Sequence, residues 1–174
     1  MRFSPSIRRG VLAVHLTASV GWIGAVLAYA ALALVPAASR DAESARAAWI
    51  GMDLIGWWVI VPLAAASLLS GIVLSLGTKW GLLRHYWVAI SFFATIVLTI
   101  VLIVLIVHMP TVDRLAQTAR DASLDEVLAL PADLLHPLVG LAALLGILVL
   151  NIIKPRGLTR RGWRAAQRAA APVR

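Results

Sequence analysis

Four predominantly apolar runs of 20 to 25 residues, at positions 11–35, 54–76, 86–108 and 134–153, constrain this chain more than any other feature. A helix needs about 20 residues to cross the hydrocarbon core of a bilayer. Inside that core every backbone amide and carbonyl must be satisfied within the protein, so only helices and closed barrels cross it. The runs lack the period-two alternation of barrel strands. They therefore predict an all-α fold, a four-helix transmembrane bundle. Composition agrees: 61% of the 174 residues are hydrophobic and 14% are charged, whereas a soluble domain is about half apolar and a quarter charged. There is no cysteine, which removes disulfides, thiolate metal sites and cysteine nucleophiles.

An even number of spans places both termini on one side. Arg2, Arg8 and Arg9 precede the first run, Lys79 and Arg84 follow the second, and seven more basic residues follow the fourth, giving 12 of the 16. The opposite side holds Arg40, Arg46, Arg114 and Arg120 and all eight acids. Basic residues concentrate in cytoplasmic loops, so both termini are expected in the cytoplasm, with the chain multi-pass in the membrane. A cleaved signal peptide fits poorly, because the first run is longer than the usual 7 to 15 apolar residues of such a segment. Residues 1–155 read as the membrane domain and 156–174 as a basic cytoplasmic tail. The net charge of +8 is thus topological, and no nucleic acid partner is expected. The tail, KPRGLTRRGWRAAQR, suits an anionic leaflet if helical, though a plain topology anchor is the simpler account.

On the acidic side, residues 111–130 form the only sizeable expected loop. Val112, Leu115, Ala116 and Ala119 recur at helical spacing, and Ser123 with Glu126 has the form of a capping box. A helical lid on the outer surface is expected. Pro62 should kink the second span, with its freed carbonyl satisfied by neighbours. Small residues, Gly21, Gly24, Ala25 and Ala28 on the first span and Ser67, Ser70, Gly71 and Ser75 on the second, suit close helix packing. Asn151 suits an interhelical hydrogen bond.

All four histidines lie in or beside these runs. His15 and His85 fall towards the inner side, His108 and His136 towards the outer. His85 and His108 are 23 residues apart, about 35 Å of helix, so they serve different sites. Three of the four stand at span ends, where amphipathic rings serve as anchors beside Trp and Tyr. His15 stands deeper, and an ionisable residue within a span is a functional candidate. Two imidazoles on facing helices at one depth are what b-type haem requires. Along the first helix His15, Ala18, Trp22, Ala25 and Tyr29 share a face, and Arg8, Arg9 and Arg84 are cations available to propionates. His15, His85, His108, His136, Trp22 and Arg84 are accordingly the candidate haem-binding residues. A second possibility is copper or another metal at His108 and His136, with Met109 and Asp113 or Asp133 near, since imidazole and thioether suit copper. A third is a non-catalytic membrane subunit that binds a partner protein through its small-residue faces. The partners expected besides the lipid bilayer are a membrane redox partner or a second copy of the chain. No G-x-S-x-G, H-E-x-x-H or phosphate-loop motif is present, and no span carries an acid in its middle.

Three stretches, HLTASVGWIGAV, LIGWWVIVPLAAASLLSGIVLSLGTKWGLLRHYWV and KPRGLTRRGWR, together resemble an uncharacterised family of four-helix integral membrane proteins common in actinobacteria. That resemblance covers nearly the whole chain and implies a fold without an activity. The His15, Trp22, Gly24 pattern also resembles the first helix of copper-resistance-protein-D-like and protoporphyrinogen-oxidase-type membrane proteins. That resemblance covers one helix and implies haem, porphyrin or copper chemistry at His15. The chain departs from that wider group in having four spans and no membrane-embedded lysine.

Overall fold

The computed structural model describes residues 3–78, 80–108 and 111–170, and for 106–108, 111, 112, 169 and 170 the backbone alone. Among the described residues all regular structure is helical, apart from one isolated antiparallel bridge between His85 and Leu158. Helix α1 is Pro5–Ala38. Pro5 occupies its first turn, where a missing N–H costs nothing, and the Ser4 hydroxyl accepts from the Ile7 amide at 3.4 Å. After three residues α2 (Ala42–Ile55) begins, with Asp41 as its N-cap. It continues through a π-helical turn, Gly56–Ile60, into α3 (Val61–Gly77). The Val61 amide bonds the Gly56 carbonyl five residues back. Pro62 follows at once and has no N–H for a regular ladder, so the ladder widens where a kink was expected. α4 is Tyr86–His108 and α7 is Leu135–Ile153, within one residue of the sequence expectation. Between them lie α5 (Thr111–Asp121) and α6 (Leu124–Leu128), and α8 (Arg160–Ala170) closes the described chain.

Among the described residues four helices are long and apolar enough to cross a membrane: α1, the continuous α2–α3 helix, α4 and α7. They form a closed ring of neighbours, α1 on α3, α3 on α4, α4 on α7 and α7 on α1. α1 and α4 are therefore diagonal to each other. The ring closes on Trp22, Ala25 and Val26 of α1, Ile60 and Ala64 of the second helix, and Leu144 of α7. Lipid tails are as apolar as these side chains, so close packing rather than water exclusion holds this core. Asn151 donates to the Ser91 hydroxyl at 3.0 Å, the expected polar tie, here joining α7 to α4.

Two small-residue expectations fail. Gly24 and Ala28 are exposed, and a Cβ on Gly24 would meet nothing within 4 Å. The buried stripe of α1 runs Ala18, Trp22, Ala25, Val26, Ala30 and Ala33, and Gly24 and Ala28 lie off it. Gly21 and Gly71 do meet neighbours, Leu63 and His15 respectively.

The acidic end is more elaborate than a loop. α1 has 34 residues, about 51 Å of helix against a hydrocarbon core of about 30 Å, so it must project. α2 runs back along it, and α5 and α6 pack on α2. Ala33, Ala45, Trp49, Met52, Ala119 and Val127 form a second core there. Residues 42–53, expected as part of a connection, are thus helical and central to a small head. Outside the bilayer the hydrophobic effect operates, and full burial of side chains such as Met52 and Val127 is worth about 1.5–3 kcal/mol each. Arg46 donates to the carbonyls of Arg120 at 3.0 Å and Ala122 at 2.8 Å, satisfying orphan acceptors at the end of α5. The Ser123–Glu126 capping box is present. The lid therefore packs on α2 instead of lying free on a surface.

At the basic end, the segment after α7 folds back on the α3–α4 connection. Lys154 adopts a left-handed conformation (φ 48°) and reverses the chain. The Thr159 amide then donates to the Arg84 carbonyl at 3.1 Å and its hydroxyl to the Leu83 carbonyl at 2.6 Å. Gly162 rests on the Arg84 carbonyl so closely that a Cβ has no room.

Candidate functional site

His15 faces α3 on the line that leads along α1 to Ala18 and Trp22. Its Nδ1 lies 3.1 Å from the Ser67 carbonyl oxygen and 3.1 Å from the Ser70 hydroxyl. A carbonyl only accepts. The single Ser70 hydroxyl proton goes to the Ala66 carbonyl at 2.5 Å, so its oxygen accepts as well. Nδ1 therefore carries the proton, and Nε2 keeps a free lone pair. No hydrogen bond reaches Nε2 among the described residues. Gly71 lies against the ring, where a Cβ would stand 3.1 Å from Cε1. The Ser19 and Ser67 hydroxyls meet at 2.8 Å and close a small polar patch. Ser67 and Ser70 are buried and His15 partly so. The sequence assigned Ser67, Ser70 and Gly71 to general packing; their spacing of three and four residues on one helix face was the available sign of a bed for a single ring.

His85 stands in the connection before α4. Its Nδ1 donates to the Trp80 carbonyl at 2.9 Å, and its ring meets Trp80 edge-on with centroids 5.1 Å apart. Its carbonyl accepts from Ala89 at 3.1 Å, so it starts α4. His15 and His85 belong to diagonal parts of the ring. His15 lies against Gly71, six residues before the end of α3, about 9 Å of helix rise, and His85 lies beyond that end. The two rings share no partner.

His136 donates through Nδ1 to the Asp133 carboxylate, which also accepts from the Leu135 amide at 3.0 Å and the His136 amide at 3.4 Å. This is a local cap at the start of α7, about half exposed. His108 ends α4; its side chain and the whole of Met109 lie outside the described residues, so the outer pair is described on one side only. Asp113 accepts from Gln117 at 3.1 Å on its own helix. Among the described residues no group of three metal-ligating side chains converges. Trp22 is 4% exposed and fills the bundle core against the second helix and α7. Arg84 contributes its backbone to the docked tail, and its side chain covers Gly81, whose φ of +62° marks a tight turn.

In all three described histidines, then, Nδ1 is the donor and an oxygen of the protein takes it. Metal-bound histidines carry this feature, because the outer hydrogen bond fixes the tautomer and aims Nε2. Among the described side chains only His15 has this arrangement within a span. No family model matches this chain, and no curated protein or solved structure matches it. By its helices it is a multi-pass membrane protein.

Proposed function

We propose that this chain lies in the bacterial plasma membrane with both termini cytoplasmic, and that His15 binds b-type haem through Nε2 for membrane electron transfer or haem handling. The observation that carries this is the Ser67–Ser70 acceptor pair on Nδ1. An ionisable ring within a span is costly, and here the protein has fixed its tautomer while leaving one nitrogen unused. The asymmetric distribution of the charged residues supports the orientation. Arg8, Arg9 and Arg84 lie towards the same end as His15 and suit propionates. His85, which has the same donor pattern, would serve as a second ligand if the two rings moved towards one depth. Trp22 supports the site from the core without lining it. When bound, the haem would supply a one-electron couple; the protein's part is to hold and orient the ring of His15.

The test is the visible spectrum of the chain purified in mild detergent from a haem-replete host, before and after dithionite. A Soret band that sharpens on reduction, and is lost in His15→Ala, is expected. Ser70→Ala should shift the band while keeping it, since one acceptor remains. A colourless protein would overturn haem binding. Copper at the outer end is the second reading, favoured by the carboxylate that holds His136; bound copper lost in His136→Ala would establish it. A colourless, metal-free chain would be a non-catalytic subunit awaiting a partner.

A further inference from the structure

We propose that the arginine face of α8 docks anionic phospholipid headgroups of the leaflet at that end of the bundle. Arg161, Arg164 and Arg168 share one face and line an open depression of about 530 Å³. At about 100° per residue Arg160 lies about 40° to one side of Arg164, on the same side of the helix. Gly162, on the other side of the helix, rests on the Arg84 carbonyl, so the contact that holds α8 to the bundle leaves the arginines uncovered. No acid offsets them, since every acidic residue lies towards the opposite end of the bundle.

Position selects lipid as the partner. Thr159 ties α8 to the connection that leads into α4. Trp80 and Trp87 meet there, edge to face at 5.3 Å, and Tyr86 beside them is 52% exposed. Such aromatics mark the headgroup level of a bilayer. Trp163 of α8 itself is 58% exposed. The guanidinium groups are therefore held near the phosphate plane on a helix too polar to enter the hydrocarbon, and guanidinium pairs with phosphate in a bidentate fashion. This inference does not depend on haem at His15.

Lipid selectivity tests it directly. The full chain is reconstituted in phosphatidylcholine membranes, and the motionally restricted fraction of spin-labelled phosphatidylglycerol is compared with that of spin-labelled phosphatidylcholine. Each arginine near an anionic surface is worth about fivefold in partition, so clear enrichment of phosphatidylglycerol is expected, falling towards parity in the R161Q/R164Q/R168Q variant and in high salt. The variant's helical circular dichroism should match that of the parent, and R114Q, on the opposite end, should leave the selectivity unchanged. Equal association of the two lipids by the parent would overturn the proposal. So would selectivity that persists in the triple variant. Loss of phosphatidylglycerol to inorganic phosphate at constant ionic strength would also overturn it, reassigning the depression to free phosphate.

Discussion

Replacing Gly162 by alanine should detach α8 from the bundle. The new Cβ would fall on the Arg84 carbonyl, and the third nearest atom is Leu158 Cδ2 at 3.2 Å. The carbonyl is backbone, already engaged with Thr159, so it has no rotamer in which to escape. Separation loses the Thr159 amide bond to Arg84, the Thr159 hydroxyl bond to Leu83 and the Tyr86 amide bond to Gly157. At about 1 kcal/mol each, the docked state weakens by about 3 kcal/mol, on the order of a hundredfold in the opening equilibrium. Amide hydrogen exchange across residues 158–163 reads that equilibrium and should accelerate by a similar factor, while α7 is unchanged. Gly10→Ala is the control, because a Cβ there meets nothing within 4 Å. Unchanged exchange at Thr159 and Trp163 in Gly162→Ala would refute the docking contact.

Arg46→Met should loosen the lid while keeping the stem of the side chain packed: two charge-assisted bonds to the end of α5 are lost, each worth about 1.5–3 kcal/mol, and protease sensitivity of residues 111–130 should rise. Gly24→Ala should raise the thermal midpoint in detergent, with a helix-propensity gain of up to about 1 kcal/mol and no clash; a lowered midpoint would mean that another surface packs on that face. Acid should release the caps of the head. Glu126 is held below the ordinary carboxylate range by the Ser123 amide and then its hydroxyl, and Asp41 by the Ser44 hydroxyl and then the amides of Glu43 and Ser44. Because both are depressed on folding, their contribution is complete above the unfolded values of about 4 and disappears as pH falls through the folded ones. Amide shifts of Ser44 and Glu126 should follow that loss, and in Glu126→Gln the α6 component should no longer titrate.

Much of the fold was legible in the sequence because the bilayer supplies so strong a constraint. Span length and the need for satisfied backbone placed α4 and α7 within one residue of where they lie, whereas α1 begins six residues before the expected span and the second helix twelve. The capping box at Ser123, an irregularity at Pro62 and the polar tie at Asn151 were legible because each depends on the chemistry of a single residue or short motif. α2 was not found, although Ala45, Ala48, Trp49 and Met52 carry a helical period. An amphipathic helix does not raise average hydropathy, and the charges at residues 40–46 resemble those of a loop.

By itself the sequence determined that four segments are long and apolar enough to cross a membrane, and it singled out His15 by its place within the first of them. Only the tertiary structure decided what the ring touches. The face that α1 turns to α3 is settled by packing of the whole ring of helices. That packing buries Trp22, turns Gly24 outwards, and sets His15 on Ser67, Ser70 and Gly71. The same holds for α8: its composition made it basic, but the space left by Gly162 beside a backbone carbonyl fixed where its arginines stand.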